Sequence, residues 1–112
     1  MEFQKNDLIP AAEYSQCHDG SGSLFCKSLI DGFGSEKFSL FHSDDIPAGV
    51  SIGMHKHEHN EEIYYLISGK GILQYDDNTY EMLSGDISLC RIGHSHGFVA
   101  VEDCVLVVVS SF

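Results

Sequence analysis

The sequence predicts an all-β domain, a sandwich or barrel of short strands. Three observations carry that expectation. Runs rich in Val, Ile, Leu, Tyr and Phe alternate with clusters of Gly, Asp, Asn, Ser and Pro at close, regular spacing. No segment sustains a helical period of any length. No internal repeat, linker or low-complexity tract divides the 112 residues, so one domain is expected over 1–112.

Near the N-terminus, the stretch Pro10, Ala11, Ala12, Glu13 has room for one turn of helix at most. A loop of Gly and Ser from Asp19 then leads into a strand over 24–30, and a second Gly-rich loop follows at 31–35. Alternation of Phe38, Leu40 and His42 with Ser39, Phe41 and Ser43 marks the next strand. Pro47, Ala48 and Gly49 turn the chain into an extended stretch over 50–57, and another strand covers 62–68. Gly69, Lys70 and Gly71 connect tightly to 72–75, and Asp76, Asp77 and Asn78 turn back into 79–83. Ser84, Gly85 and Asp86 lead to 87–90, and the last strand is the apolar run 104–110.

Lys and Arg total 6 against 17 Asp and Glu, a net charge of −11. No basic face can be assembled for a nucleic-acid backbone, and an anionic membrane surface is disfavoured for the same reason. The acidity mildly favours cation uptake. The N-terminus lacks the basic start and apolar run of a signal peptide, and no run is long enough to cross a bilayer, so a cytoplasmic protein is expected. Its four cysteines, Cys17, Cys26, Cys90 and Cys104, are then expected as free thiols. No C-x-x-C spacing suggests a zinc knuckle, and Cys17 and His18 read as ordinary surface residues.

The chemistry lies in two segments, 53–62 and 93–98. Side chains alternate faces along a strand, so His55 and His57 point the same way, with Cα atoms about 6.5–7 Å apart. That span lets two imidazoles converge on one ion. His59 and Asn60 turn the chain, and a carboxylate arrives at the start of the next strand. Glu61 and Glu62 are adjacent and face opposite ways. If Glu62 faces inward, so do Tyr64, Leu66 and Ser68; if Glu61 does, Ile63, Tyr65 and Ile67 follow. Downstream, the stretch 93–98 offers two more histidines, His94 and His96, in a second turn-to-strand setting. Three imidazoles with one carboxylate suit Mn, Fe, Co, Ni, Cu or Zn better than Mg or Ca, which prefer oxygen shells. Four protein ligands leave one or two positions of a five- or six-coordinate ion open.

Parity places Ser51 and Gly53 on the face of His55, and Phe98 on the face of His96. Tyr64 and Tyr75 read as core residues, with a hydroxyl near the ion as the alternative. His59 is expected in solvent, His94 outside the site, and His18 and His42 as structural or exposed residues.

This pattern resembles the cupin family. Its first motif, G-x5-H-x-H-x4-E-x6-G, is met at Gly49, His55, His57, Glu62 and Gly69. Its second, G-x5-P-x-G-x2-H-x3-N, is met at Gly85, Gly93 and His96, while Arg91 stands at the proline position and Ala100 at the asparagine position. The resemblance implies a double-stranded β-helix, a jelly-roll barrel holding one divalent transition metal on His55, His57, Glu62 and His96. Its spacing favours Glu62 over Glu61. Cupins support many chemistries, so fold leaves the reaction open. One reading is a metal-dependent enzyme acting on a small polar metabolite, of oxygenase, isomerase, decarboxylase or lyase type. The other is a non-enzymatic module that binds or senses a sugar or an acid. A homodimer is expected, with the apolar N-terminal residues Phe3, Leu8 and Ile9 adding a strand to a neighbour.

Overall fold

The computed structural model describes residues 2–112. Ten strands follow one another: β1 (Ala12–Ser15), β2 (Ser23–Ser28), β3 (Phe38–Ile46), β4 (Ser51–Lys56), β5 (Glu62–Ser68), β6 (Lys70–Tyr75), β7 (Asn78–Leu83), β8 (Ile87–Cys90), β9 (Ser95–Ala100) and β10 (Cys104–Ser111). They form a six-stranded sheet in the order β1-β2-β3-β10-β5-β8 and a four-stranded sheet in the order β4-β9-β6-β7. Every pairing is antiparallel.

The core lies between the two sheets. Leu24, Ile46, Tyr64, Leu66, Leu106 and Val108 project from one, and Ile52, Leu73, Met82, Phe98 and Ala100 from the other. The C-terminal apolar run shows how pairing creates a pattern that composition hides. Strand β10 is flanked by β3 and β5. Cys104, Leu106, Val108 and Ser110 face the core, whereas Val105, Val107, Val109 and Ser111 lie half-buried on the outer face. Beside that outer face, Tyr65, Ile67, Ile87 and Leu89 of β5 and β8 are exposed.

The N-terminal region departs from expectation. The helical turn anticipated at 10–13 is absent; a single 3₁₀ turn lies earlier, at Asn6–Leu8, and Ala12 opens β1. A four-residue stretch is too short to bury a helical face, and pairing with β2 satisfies its backbone instead, with Ala12 opposite Cys26 and Ser15 opposite Ser23. A second 3₁₀ turn, Cys17–Asp19, contains His18 and Asp19 in the left-handed region.

Residues 17–21 then run along the free edge of β4. Ser51 N–H donates to the Ser21 carbonyl at 2.9 Å, and Ser21 N–H donates to Ser51 Oγ at 2.8 Å. This covers an edge that would otherwise be open for pairing. The approach requires two glycines: a Cβ on Gly53 would overlap the His18 carbonyl oxygen, and one on Gly20 would overlap the Ser51 carbonyl oxygen.

Strand β4 also carries a bulge. Ile52 pairs with Phe98 and His55 with His96, so two residues of β4 oppose Gly97 alone. The bulge breaks the parity that placed Ser51 and Gly53 on the face of His55. Ile52 enters the core instead, and Ser51 and Gly53 belong to the edge covered by 17–21.

Gly53→Ala is therefore expected to lower stability by about 1–3 kcal/mol through overpacking against the His18 backbone. Urea denaturation reads this; an unchanged midpoint would mean that 17–21 does not rest on β4.

Candidate functional site

Three strands and one turn place the four side chains. The bulge orients His55 at the end of β4, and His57 follows where β4 gives way to the turn. Glu62 opens β5 and is paired with Ser110 of β10 and Cys90 of β8. His96 lies on β9 directly opposite His55. One donor atom from each of the four falls within 4.8 Å of all the others.

Glu62 Oε1 is the centre of the cluster. It lies 2.9 Å from His96 Nε2, 3.3 Å from His57 Nε2 and 3.5 Å from His55 Nε2, and His57 Nε2 lies 3.0 Å from His96 Nε2. Ser110 Oγ donates to Glu62 Oε2 at 2.5 Å. Glu61 points the other way, 3.6 Å from Arg91 at the surface. Geometry thus brings Glu62, not Glu61, to the imidazoles, and Tyr64 and Leu66 share its buried face. Ser68, expected on that face, is exposed at the strand end, where the β5–β10 register shifts.

The outer nitrogens fix two tautomers. His55 Nδ1 lies 2.8 Å from the Gly53 carbonyl, which only accepts, so Nδ1 carries the hydrogen. His57 Nδ1 lies 2.9 Å from Asn60 Oδ1, whose amide is oriented by Nδ2 donating to the Ser111 carbonyl at 3.0 Å. Both neutral rings therefore turn bare Nε2 lone pairs toward Glu62. Only His96 Nε2 can bring a hydrogen, and it faces two acceptors. His55 Nε2 is buried without any hydrogen-bond partner among the described residues. The cluster is short of donors, and a divalent cation fits that shortage. His96 is the exception in outer support: its Nδ1 is buried and unpartnered.

Aromatic packing holds the rings from two sides. His18 stacks on His55, with centroids 3.7 Å apart and planes 13° from parallel. Tyr64 stacks on His96 at 4.1 Å and 12°. His18 is exposed, as expected, yet its ring packs on the cluster. Its role was hidden because local sequence does not reveal that 17–21 crosses to β4. Phe98 is buried beside His96 as parity predicts. Tyr75 sends its hydroxyl to the Arg91 N–H at 3.3 Å. His94 pairs with Asp76, Nδ1 to Oδ2 at 2.6 Å, and Asp76 Oδ1 accepts from Ser95 N–H at 2.9 Å, anchoring the start of β9. His59 is exposed in the turn. All four cysteines are free, and among the described residues no helix is long and apolar enough to cross a membrane.

Electrostatics follow burial and contact. Burial alone would raise the Glu62 carboxyl, but hydrogen bonds from His96 and Ser110 outweigh it and hold the group well below the usual carboxylate range. Burial lowers the His96 imidazole, partly opposed by Glu62. In both cases the folded chain binds fewer protons than the unfolded chain, so stability falls as pH falls. The loss is expected to begin below the ordinary histidine value of 6.5 and to deepen below the ordinary carboxylate value of 4.5. Urea midpoints measured without metal across this range check it; a flat profile down to pH 4 would contradict it. A bound divalent ion competes with the protons, so the loaded protein is expected to be more stable at neutral pH and to lose stability more steeply as pH falls.

Three comparisons place this geometry among known proteins. A model of the cupin domain matches residues 43–112. A curated protein of Thermotoga maritima named oxalate-binding protein is 37% identical over 97 residues, covering 86% of this chain and 79% of that protein. A crystal structure from Thermotoga maritima described as a predicted oxalate decarboxylase superposes with a TM-score of 0.91 at 25% identity, covering 99% of each chain. KdgF from a Halomonas species shares the fold, with a TM-score of 0.81 at 18% identity over 98% of this chain and 93% of that one. The chain belongs to the cupin family.

Proposed function

We propose that this cupin holds one divalent transition metal on His55, His57, Glu62 and His96 and through it captures a small chelating carboxylate, oxalate being the first candidate. The donor shortage carries the reading: three imidazole nitrogens and a carboxylate oxygen converge with one hydrogen among them. Imidazoles with one carboxylate select Mn, Fe, Co, Ni, Cu or Zn over Mg and Ca. A metal in this position would supply Lewis acidity and open coordination positions that a bidentate ligand can fill. The name of the Thermotoga maritima relative supports oxalate as the first ligand to try.

Turnover is the second reading, a metal-dependent enzyme of decarboxylase type. It is favoured by His18, a titratable ring that stacks on a proposed ligand while lining an adjacent cavity. Glu62 serves poorly as a proton donor there, because its contacts keep it ionised.

The test is calorimetric titration of oxalate into metal-loaded and metal-stripped protein, with carbon dioxide and formate measured afterwards. Binding only to the loaded form is expected. His57→Ala should lower metal affinity at least tenfold, by comparison with the 10–100-fold cost of losing mere outer support, and should remove oxalate binding. Glu61→Gln should leave both unchanged. Equal oxalate binding with and without metal would sink the proposal; carbon dioxide and formate release would favour the enzymatic reading.

The exposed apolar residues Tyr65, Ile67, Ile87 and Leu89 also support pairing with a second copy. These four lie on the neighbouring strands β5 and β8, and the N-terminal Phe3 and Leu8 are exposed as well. Sedimentation at micromolar concentration is expected to give a dimer that Ile87→Asp dissociates; a monomeric wild type would contradict it.

A further inference from the structure

The inner face of the six-stranded sheet carries a second convergent cluster. Cys26 of β2 and Asp44 of β3 are directly opposed, and His42 follows two residues along the same face of β3, opposite Ser28. Sulfur, imidazole nitrogen and carboxylate oxygen lie within 4.8 Å of one another. The arrangement repeats the logic of the first cluster: one pair two residues apart on a strand, and one partner across the ladder.

Asp44 is the unusual member. It is only 5% exposed, and its Oδ1 is buried without a hydrogen-bond partner among the described residues. Buried carboxylates are ordinarily compensated, and an orphan oxygen costs free energy. Asp44 lines a cavity of about 430 Å³ together with Cys26, His42, Cys17 and His18, so the cluster borders open space although Oδ1 itself is covered. The Cys26 thiol and the Asp44 carboxylate also share a side-chain hydrogen bond, which a cation bound by both would replace.

We infer that Cys26, His42 and Asp44 form a second divalent-metal site, of thiolate, imidazole and carboxylate donors, suited to a borderline ion such as Zn²⁺ or Co²⁺. Three protein ligands leave a fourth position facing the cavity. Binding releases the thiol proton to solvent and sets one thiolate and one carboxylate charge against the two charges of the ion. Sulfur distinguishes this site from the His55 cluster, which contains none.

The test is a Co²⁺ titration of the full chain under reducing conditions, followed in the near-ultraviolet, where cobalt–thiolate charge transfer absorbs. A charge-transfer band and two metal equivalents per chain are expected. His57→Ala should remove one equivalent and keep the band. Cys26→Ser should remove the band while leaving the other equivalent, and Cys17→Ser should keep it. If Cys26→Ser fails to fold, His42→Ala decides: it should weaken cobalt affinity at the band at least tenfold, again by comparison with outer-support losses. No band in the wild type, a band that survives Cys26→Ser, or one indifferent to His42→Ala would overturn the assignment.

Discussion

A carboxylate buried between two sheets must be matched by its surroundings, and Glu62, 7% exposed, sets that requirement for this chain. Its partners come from distant parts of the sequence: Ser110 from β10, His96 from β9, and His55 and His57 from β4 and the turn beyond it. Each arrives only because a strand is in register, with Ser110 opposite Glu62 and His96 opposite His55. A slip of one residue in β5 would expose Glu62 and bury Glu61, separating the charge from all of its partners. Removing one partner of a buried charge costs roughly 3–5 kcal/mol. The site and the sheet registers are therefore one constraint.

The same constraint explains why a cation fits. Hydrogen bonds to Gly53 and Asn60 hold His55 and His57 with their hydrogens outward, so the interior receives lone pairs. Acceptors facing acceptors in a low-dielectric space repel, and protons or metal relieve the repulsion. His96 cannot be read in the same way, because its outer nitrogen has no partner. Its ring is located by the stacked Tyr64 and by its pairing on β9. Two of the three imidazoles are thus oriented by hydrogen bonds and one by packing.

Much of this site was legible in sequence, because its chemistry is local. His55 and His57 lie two apart, the carboxylate follows after one turn, and the glycine spacing agrees. What was not legible depends on contacts between remote segments. Alternation left Glu61 and Glu62 equivalent; the family spacing favoured Glu62, and pairing with β10 and β8 turns it inward. The β4 bulge moved Ile52 into the core in place of Ser51 and Gly53, since parity cannot be carried through an extra residue. His18 reaches His55 only because Gly20 and Gly53 both lack a side chain where two backbones meet. The approach of His42 to Cys26 and Asp44 was hidden because the three become neighbours only through the β2–β3 register. Strand β1 was misread because a short run such as Ala12–Ser15 has no period to distinguish.

The segment 17–21 ties these features together. Of the first cluster, His55 and His96 lie on the four-stranded sheet, His57 on the turn after β4 and Glu62 on the six-stranded sheet, which also carries Cys26, His42 and Asp44. His18 stacks on His55 with its ring and lines the cavity that holds the second cluster. The segment is tied to β4 by hydrogen bonds between Ser21 and Ser51, and the His18 carbonyl lies close against Gly53. Because the backbone at His18 and Asp19 is left-handed, the turn cannot relax into an ordinary helical turn without withdrawing the ring. The closed edge of β4 therefore supports the first cluster and bounds the second with the same few residues.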